Sequence, residues 1–256
     1  STDQSTKQAN RSKVQNLPHV LYRELEHNIG RSAIRNILAD EAQFQSLLFI
    51  DADSALPDNS YLKTYKQFPS NPQVLVGGTI YSYQRPTPDK MLRWTYGNER
   101  EAKSAKVRSQ NPYGSFTLNN LLIDRELYLK FKLDETIKTY GHEDTVFGER
   151  LQEEEIQVIH IDNPVIHTGL ETADVFLEKT RQSVENLWKL YQKNESGANT
   201  KLIRSFLTLQ KMGLAGMFEM VFSATQNMVL QNLRSSKPSV RLFDFYKLYQ
   251  LCKIAN

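Results

Sequence analysis

Asp51 and Asp53 are the first residues whose types and spacing suggest chemistry. They flank Ala52 at the end of the apolar run 47–50. Because side chains alternate along a strand, both carboxylates project to the same side and repel each other unless a cation lies between them. Hard divalent ions prefer oxygen ligands and often share them with substrate phosphates. A Mg²⁺ or Mn²⁺ site is one interpretation, and two solvated carboxylates at the start of a loop are the other.

A second acidic pair, Glu143 and Asp144, follows the stretch 140–142. Gly141 interrupts the preceding structure and an apolar helical pattern follows, so both carboxylates are predicted in the first turn of a helix. The backbone N–H groups of a helix start favour ionised acids, and an ionised acid at a pocket mouth can act as a general base. Helix capping without catalysis is the plainer alternative.

His167 is the third candidate, just past the apolar pair at 165–166. A neutral imidazole is an effective ligand for an ion such as Mn²⁺. Because most single histidines after a strand are only hydrogen-bonded, His167 alone does not decide between these roles.

The elements that must position these side chains alternate between strand and helix. Strands are predicted at 20–25, 47–51, 74–83 and 157–161, with a helix at 32–43. This alternation is typical of an α/β fold with a largely parallel sheet covered by helices, whose ligands lie at the carboxyl ends of the strands. The pair at 51 and 53 follows such an end.

The chain changes character near residue 170. Helices are predicted at 175–191, 202–233 and 240–254, with a loop at 192–200. Residues 171–256 hold 12 Lys and Arg against 7 Asp and Glu, whereas residues 1–170 hold 20 against 22. We therefore predict two units, 1–170 and a helical extension at 171–256.

Composition excludes several classes of protein. One cysteine allows no internal disulfide and no thiolate cluster, which fits a reducing cytosol. No uninterrupted apolar run approaches the roughly 18 residues of a spanning helix, and no secretion signal opens the sequence, so we expect a soluble protein. The basic tail has no nucleic-acid-binding signature, so no nucleic acid partner is expected.

Taken in order, these motifs resemble family 2 glycosyltransferases, which are inverting enzymes of the GT-A fold. The D-x-D, the Glu-Asp pair and the later histidine carry the resemblance. Residues 28–36 resemble the N-x-G-x-x-x-x-R-N helix of the family, residues 114–125 its acceptor-side segment, and residues 133–135 its F-D-E. The resemblance covers residues 1 to about 170 and implies a GT-A-like sheet flanked by helices.

The resemblance also implies roles for single residues. Asp144 becomes the catalytic base, with Glu143 beside it. The residues expected to bind the donor are Asp51, Asp53, Gly30, Arg31 and Arg35, and those expected to bind the metal are Asp53, His167 and Asp51. Asn119 and His142 are expected on the acceptor side. Asp53 is the expected direct metal ligand, whereas Asp51 is expected to face either the ribose or the groups that surround the direct metal ligands.

The implied activity is metal-assisted transfer of a sugar, with inversion, from a nucleotide-diphosphate donor to a hydroxyl, in polysaccharide or glycan biosynthesis of a bacterium. The implied cofactor is Mn²⁺ or Mg²⁺, the donor a UDP-sugar, and the acceptor a glycan or lipid-linked molecule. The location is cytoplasmic or peripheral at the inner face of the membrane. Two alternatives stay open: an inactive GT-A-like binding module, and a D-x-D phosphotransferase with Asp51 as nucleophile.

Two further expectations concern the ends of the sequence. The stretch 1–3 resembles the tail of the family's first strand–helix–strand unit, so we expect that unit to be missing and donor binding to be weak. Without its strands, one edge of the sheet would be unpaired, and a homo-oligomer formed through this edge is one expected consequence. In the tail, apolar faces at 214–222 and 242–252 either pack internally or, across 202–254, contact an anionic membrane.

Overall fold

The computed structural model describes residues 3–68, 74–137, 140–193 and 196–255. The strands within these ranges are β1 (Ser46–Ile50), β2 (Ser54–Ala55), β3 (Val74–Val76), β4 (Thr79–Tyr81), β5 (Asn120–Asp124), β6 (Val158–His160) and β7 (Val165–His167). The helices are α1 (Gln4–Val14), α2 (Arg31–Glu41), α3 (Tyr61–Tyr65), α4 (Met91–Tyr96), α5 (Ala105–Arg108), α6 (Arg125–Phe131), α7 (Glu143–Glu153), α8 (Ala173–Gln192), α9 (Lys201–Lys211), α10 (Ala215–Leu233) and α11 (Val240–Ala255). A 3₁₀ turn, Pro88–Lys90, precedes α4, and a π-helical turn, Gly97–Glu101, continues it.

The main sheet has the order β1-β5-β3-β6 within the described residues. β3 and β6 are parallel, while β5 runs antiparallel to both β1 and β3. Three of these four strands therefore share one direction, as the prediction of a mostly parallel sheet requires, and β5 is the reversed strand between two of them. Leu121 and Ile123 pack with α6 and α7 on one face, and Leu75 packs with α3 on the other. The sheet is thus flanked by helices.

A second, smaller sheet has the order β2-β7-β4. The predicted strand 74–83 is divided between the two sheets, because the chain bends at Gly77 and Gly78. A Cβ at Gly77 would lie 2.4 Å from Asn120 Nδ2, and Gly78 has φ +86°, so both positions require glycine. Asn120 closes this bend: its Nδ2 donates to Gly78 O at 2.8 Å and to Asn163 O at 2.9 Å.

Most element predictions agree with the structure. The helix predicted at 32–43 is α2, and the strands predicted at 47–51 and 157–161 are β1 and β6. The strand predicted at 20–25 is wrong. Its residues pair with no described strand, and Leu21 is 73% exposed, so this short apolar run lies on the surface without a sheet partner.

The C-terminal helices share a core with the first half of the chain. Phe176 of α8 and Phe243 of α11 stack with ring centroids 5.1 Å apart, and Leu92 of α4 belongs to the same buried cluster. Within 202–233 the single predicted helix is two helices, since Gly213 at φ +71° ends α9. The predicted loop at 192–200 includes 194–195, which, like residues 1–2, lie outside the described residues.

The apolar faces of the tail are used mainly for internal packing. Tyr246, Tyr249 and Cys252 of α11 are buried, as is Phe222 of α10. Met217, Val221 and Phe245 of the predicted faces are exposed. None of the helices within the described ranges is long and apolar enough to cross a bilayer.

Candidate active site

One cavity of about 390 Å³ collects most of the predicted site residues. It lies where the chain leaves β1, β4 and β7 and where α7 begins. Those that line it are Arg31, Arg35, Asp51, Asp53, Asn119, Glu143, Asp144 and His167. Gly30 and His142 are not among the lining residues. The acidic doublet, the helix-opening aspartate and the later histidine therefore surround a single space.

Asp53 and His167 are brought together by the small sheet. Ser54 of β2 pairs with His167 of β7, so the residue before β2 meets the end of β7. Asp53 Oδ1 lies 3.7 Å from His167 Nδ1. Thr168 N donates to Asp53 O at 2.8 Å, and a Cβ at Gly169 would lie 2.5 Å from Asp53 Oδ2. Gly169 thus leaves just enough room for the carboxylate.

His167 has the chemistry of a metal ligand. Burial, reinforced by the charge of Arg93, lowers the pKa of His167, which keeps the imidazole neutral at pH 7. Its Nε2 is buried without a hydrogen-bond partner among the described residues. No group of three His, Cys, Asp or Glu side chains within the described ranges could enclose a metal ion. Asp53 and His167 are two such side chains side by side, so a Mg²⁺ or Mn²⁺ ion held between them would need its remaining ligands from water or a substrate.

Asp51 is held by an arginine. Arg35 Nη2 donates to Asp51 Oδ1 at 2.5 Å, and Arg35 Nη1 lies 3.8 Å from Glu143 Oε1. Arg31 Nη1 lies 3.7 Å from the same Glu143 oxygen, and its guanidinium stacks 4.6 Å from the ring centre of Tyr140. Helix α2 thus supplies two cations that bind the acidic residues on either side of the cavity. Arg35 thus fixes one carboxylate oxygen of Asp51 at the cavity wall.

Asp144 lies in the first turn of α7, as predicted. The turn before it requires two left-handed residues, Gly141 at φ +100° and His142 at φ +73°. Asp144 Oδ1 accepts a hydrogen bond from Thr145 N at 2.9 Å. Burial, together with the negative charge of Glu143, raises the pKa of Asp144 to about 7. A carboxylate with this pKa is matched to proton transfer near neutral pH.

His142 and Gly30 support the site from outside the cavity. His142 Nε2 lies 3.1 Å from Ser183 Oγ and Nδ1 lies 3.2 Å from Thr145 Oγ1, so both ring nitrogens are engaged between α7 and α8. Burial lowers the pKa of His142 to about 4. This geometry places the His142 side chain in the packing between α7 and α8. Gly30, at φ +91°, is the N-cap of α2.

Asn119 lines the cavity from the loop before β5. Its Nδ2 donates to Thr79 Oγ1 at 2.6 Å, while within the described ranges its Oδ1 is buried without a hydrogen-bond donor. A buried amide oxygen without a partner is costly in an empty site and is satisfied when a ligand hydroxyl donates to it. Asn119 therefore leaves one acceptor unsatisfied at the wall of the cavity.

Several cavity residues escaped sequence reasoning. Arg93 donates to Glu101 at 3.0 Å, Glu101 accepts from the hydroxyl of Tyr81, and the Tyr81 ring lies 5.4 Å from that of His167. The wider π-helical turn carries Glu101 to this position, which no sequence pattern signals. Glu171 also lines the cavity, paired with Lys179. In the sequence, the position of Glu171 two residues after Gly169 was the only indication that it lies near the site.

Comparison with known proteins identifies the family. The sequence model described as Glycosyl transferase family 2 matches residues 1–128, half of the chain. The chain belongs to glycosyl transferase family 2. A comparison of the sequence with curated proteins found no significant match.

Two solved structures, with TM-scores of 0.56 and 0.50, agree on the fold. A mannosyltransferase, PcManGT from Pyrobaculum calidifontis, in complex with GDP-Man and Mn²⁺, superposes with a TM-score of 0.56 at 14% identity, covering 99% of this chain and 74% of that one. S. aureus TarS 1–349 in complex with UDP gives 0.50 at 15% identity, covering 100% and 80%. A further S. aureus TarS structure gives a TM-score of 0.48 at 18% identity. The match covers 73% of this chain and 32% of that one, so it spans about a third of the TarS chain. The fold is GT-A-like, with C-terminal helices added.

Proposed function

We propose that this family 2 glycosyltransferase moves a sugar from a nucleoside-diphosphate donor to an acceptor hydroxyl with inversion at the anomeric carbon. The observation that carries the proposal is the placement of Asp144 in the same cavity as Asp53 and His167. Family membership supports glycosyl transfer in general, and this geometry supports the finer assignment.

The proposed reaction is a single in-line displacement. Asp144 accepts the proton of the acceptor hydroxyl while the oxygen of that hydroxyl forms a bond to the anomeric carbon. The bond from that carbon to the diphosphate oxygen breaks on the opposite side, so the configuration inverts. A divalent cation held by Asp53 and His167 would act as a Lewis acid toward the departing diphosphate. Arg31 and Arg35 add positive charge to the wall of the same cavity.

A UDP-sugar is the proposed donor and Mn²⁺ or Mg²⁺ the proposed ion. One structural neighbour was solved with UDP and another with GDP-Man and Mn²⁺, which supports this class of ligand without selecting the base. The phosphotransferase alternative is less well supported, because its nucleophile, Asp51, is bound by Arg35.

A donor screen for nucleotide release tests the proposal. UDP- and GDP-sugars are incubated with this chain, with and without Mn²⁺. We expect metal-dependent nucleotide release that Asp53→Ala removes, and an inverted anomeric proton in the NMR spectrum of the product. No release with any donor would favour the inactive binding module.

We also propose a glycan or lipid-linked acceptor in polysaccharide biosynthesis and a cytoplasmic enzyme that contacts the inner face of the membrane. Support comes from one face of α10, where Met217, Met220, Val221 and Met228 are 54–72% exposed. Sedimentation with anionic liposomes tests the contact. Met220→Glu combined with Met228→Glu is expected to abolish it, and failure of the unaltered chain to sediment would remove the membrane from the proposal.

A further inference from the structure

A second cavity, of about 760 Å³, adjoins the candidate active site. The residues that line both cavities are Arg100, Lys103, Gly114, Phe116 and Thr145. Thr145 directly follows Asp144, which lines the first cavity, so the two cavities meet next to the proposed base. The second cavity has nearly twice the volume of the first.

The walls of this cavity come from both parts of the chain. Glu149 of α7 and Tyr113 belong to the first part of the chain. Helix α11 contributes Phe245 and Leu248, and α9 contributes Lys201, Leu202, Arg204 and Ser205. The helical extension therefore forms part of a cavity that opens beside the active site. Neither the motifs nor the family resemblance assigned a role to this part of the chain.

Positive charge predominates on the cavity wall. Among the described residues that line it, the basic ones are Arg100, Lys103, Lys201, Arg204 and Lys247, and the acidic ones are Glu99, Glu149 and Asp244. Asp244 binds both Arg100 and Lys247 at 2.7 Å. Glu149 accepts from Gly197 N at 3.1 Å and from the hydroxyl of Ser196. Two of the three acids are thus already engaged within the fold.

Three of the cations have no such partner. Lys103, Lys201 and Arg204 are exposed, and within the described ranges none of them forms an ion pair. Lys201 and Arg204 are three residues apart on α9, so they project from the same face of the helix. Unpaired cations lining a concave surface attract anions and raise their local concentration.

We propose that the second cavity binds the acceptor and that this acceptor carries a phosphate or carboxylate group, held by Lys103, Lys201 and Arg204. The proposal rests on the proposed function for the identity of the bound molecule as an acceptor. The anionic group anchors the molecule against α9, and a hydroxyl elsewhere on it reaches Asp144. The exposed ring of Phe245 and the ring of Tyr113 give the remainder of the molecule an apolar surface.

Binding of matched sugars tests the charge preference without any donor. Glucose 6-phosphate and glucose differ only in the phosphate, and glucuronate supplies the carboxylate. For the unaltered chain we expect calorimetric titration to give at least tenfold tighter binding of glucose 6-phosphate or glucuronate than of glucose. The double variant Lys201→Glu with Arg204→Glu is expected to remove this difference.

Lys211→Glu is the matched control, since Lys211 lies on the same helix and outside both cavities. It should keep the preference for the anionic sugar. Equal affinity for glucose 6-phosphate in the unaltered chain and the double variant overturns the proposal, because the phosphate would then bind elsewhere, as at Arg31 and Arg35. An equal loss in the control also overturns it.

Turnover separates this inference from the proposed function. If the donor screen gives no nucleotide release while phosphate binding follows the charge on α9, the proposed function fails and the anion-binding cavity stands. If nucleotide is released but the anionic sugars neither bind through α9 nor accept sugar better than glucose, the proposed function stands and this inference fails.

Discussion

Asp144 is a residue whose protonation is set by its surroundings more than by its type. Burial and the adjacent Glu143 favour the neutral acid, whereas the hydrogen bond from Thr145 N and the charge of Arg35 favour the carboxylate. The balance places the pKa at about 7. A group with this pKa both takes and holds a proton effectively near neutrality, as a general base must.

Asp144→Asn removes the proposed proton acceptor while keeping the size of the side chain. We expect the rate of sugar transfer to fall by about 10²-fold or more, because a positioned base contributes that much. Donor binding, measured by calorimetry, should be nearly unchanged. Glu153→Gln, at the exposed end of the same helix, is the control and should keep full activity.

The raised pKa of Asp144 predicts a dependence of rate on pH. The base acts in its ionised form, so kcat/KM should be low well below pH 7, rise through about pH 7 and level off above it. The profile should be measured at saturating metal. In Asp144→Asn the residual rate should lose this step, and a step that persists in the variant would assign the ionisation to another group.

At the scale of elements, the small sheet assembles one side of the site. Its central strand, β7, ends at His167, which is paired with Ser54 on one side and with Tyr81 on the other. Since the register of a strand fixes which side chains are neighbours, these few residues determine where Asp53 meets the imidazole. A shift of β7 by one residue would turn His167 to the opposite face.

Gly169→Ala tests this packing. The added methyl group would lie 2.5 Å from Asp53 Oδ2, so the carboxylate must shift from its present position beside His167. We expect metal-dependent UDP binding to weaken by about 10- to 100-fold, as when the support of a metal ligand is altered. Gly216→Ala is the control, because its Cβ would meet no atom within 4 Å. Equal affinities in the two variants would remove Asp53 from the metal site.

At the scale of the whole molecule, the helical extension and the first part of the chain share a core. Phe243 of α11 is 1% exposed and lies against Tyr96 and Phe176, with ring centroids 5.2 and 5.1 Å away. The extension also forms a wall of the second cavity. Its packing therefore bears on the shape of the site as well as on stability.

Phe243→Ala should destabilise the whole chain. Removing a fully buried aromatic ring costs about 3–5 kcal/mol, because the cavity left behind fills only in part. If the two parts unfold together, chemical denaturation followed by tryptophan fluorescence and by circular dichroism will give one shifted transition with the same midpoint. Two separate transitions would mean that residues 171–256 fold as an independent unit. Phe245→Ala, at a half-exposed neighbouring position, is the control and should cost much less.

Some features of the site could be predicted from the sequence because they depend on local order. The end of β1 fixes where Asp51 and Asp53 leave the sheet, and the left-handed turn at 141–142 fixes the start of α7 at Glu143. Helix α2 was predictable from its apolar spacing. The run at 20–25 misled because alternation alone does not reveal whether a neighbouring strand exists.

Other features depend on residues far apart in the chain. Arg93, Glu101 and Glu171 enter the cavity only because α4, its π-helical turn and the loop after β7 pack together. The split of 74–83 into two sheets depends on Asn120, more than 40 residues away. The positions of His142 outside the cavity and of Asp51 against Arg35 likewise follow from packing.

The sequence by itself determined the family, the α/β character of the first part and the residue types available for transfer, because motif order and local periodicity are written along the chain. Only the tertiary structure decided which of those residues face one cavity and how burial shifts the pKa of Asp144. It also decided that the helical extension forms part of the wall of the second cavity, beside the candidate active site. Burial, charge pairing and strand register arise between segments distant in sequence, so they exist only once the chain has folded.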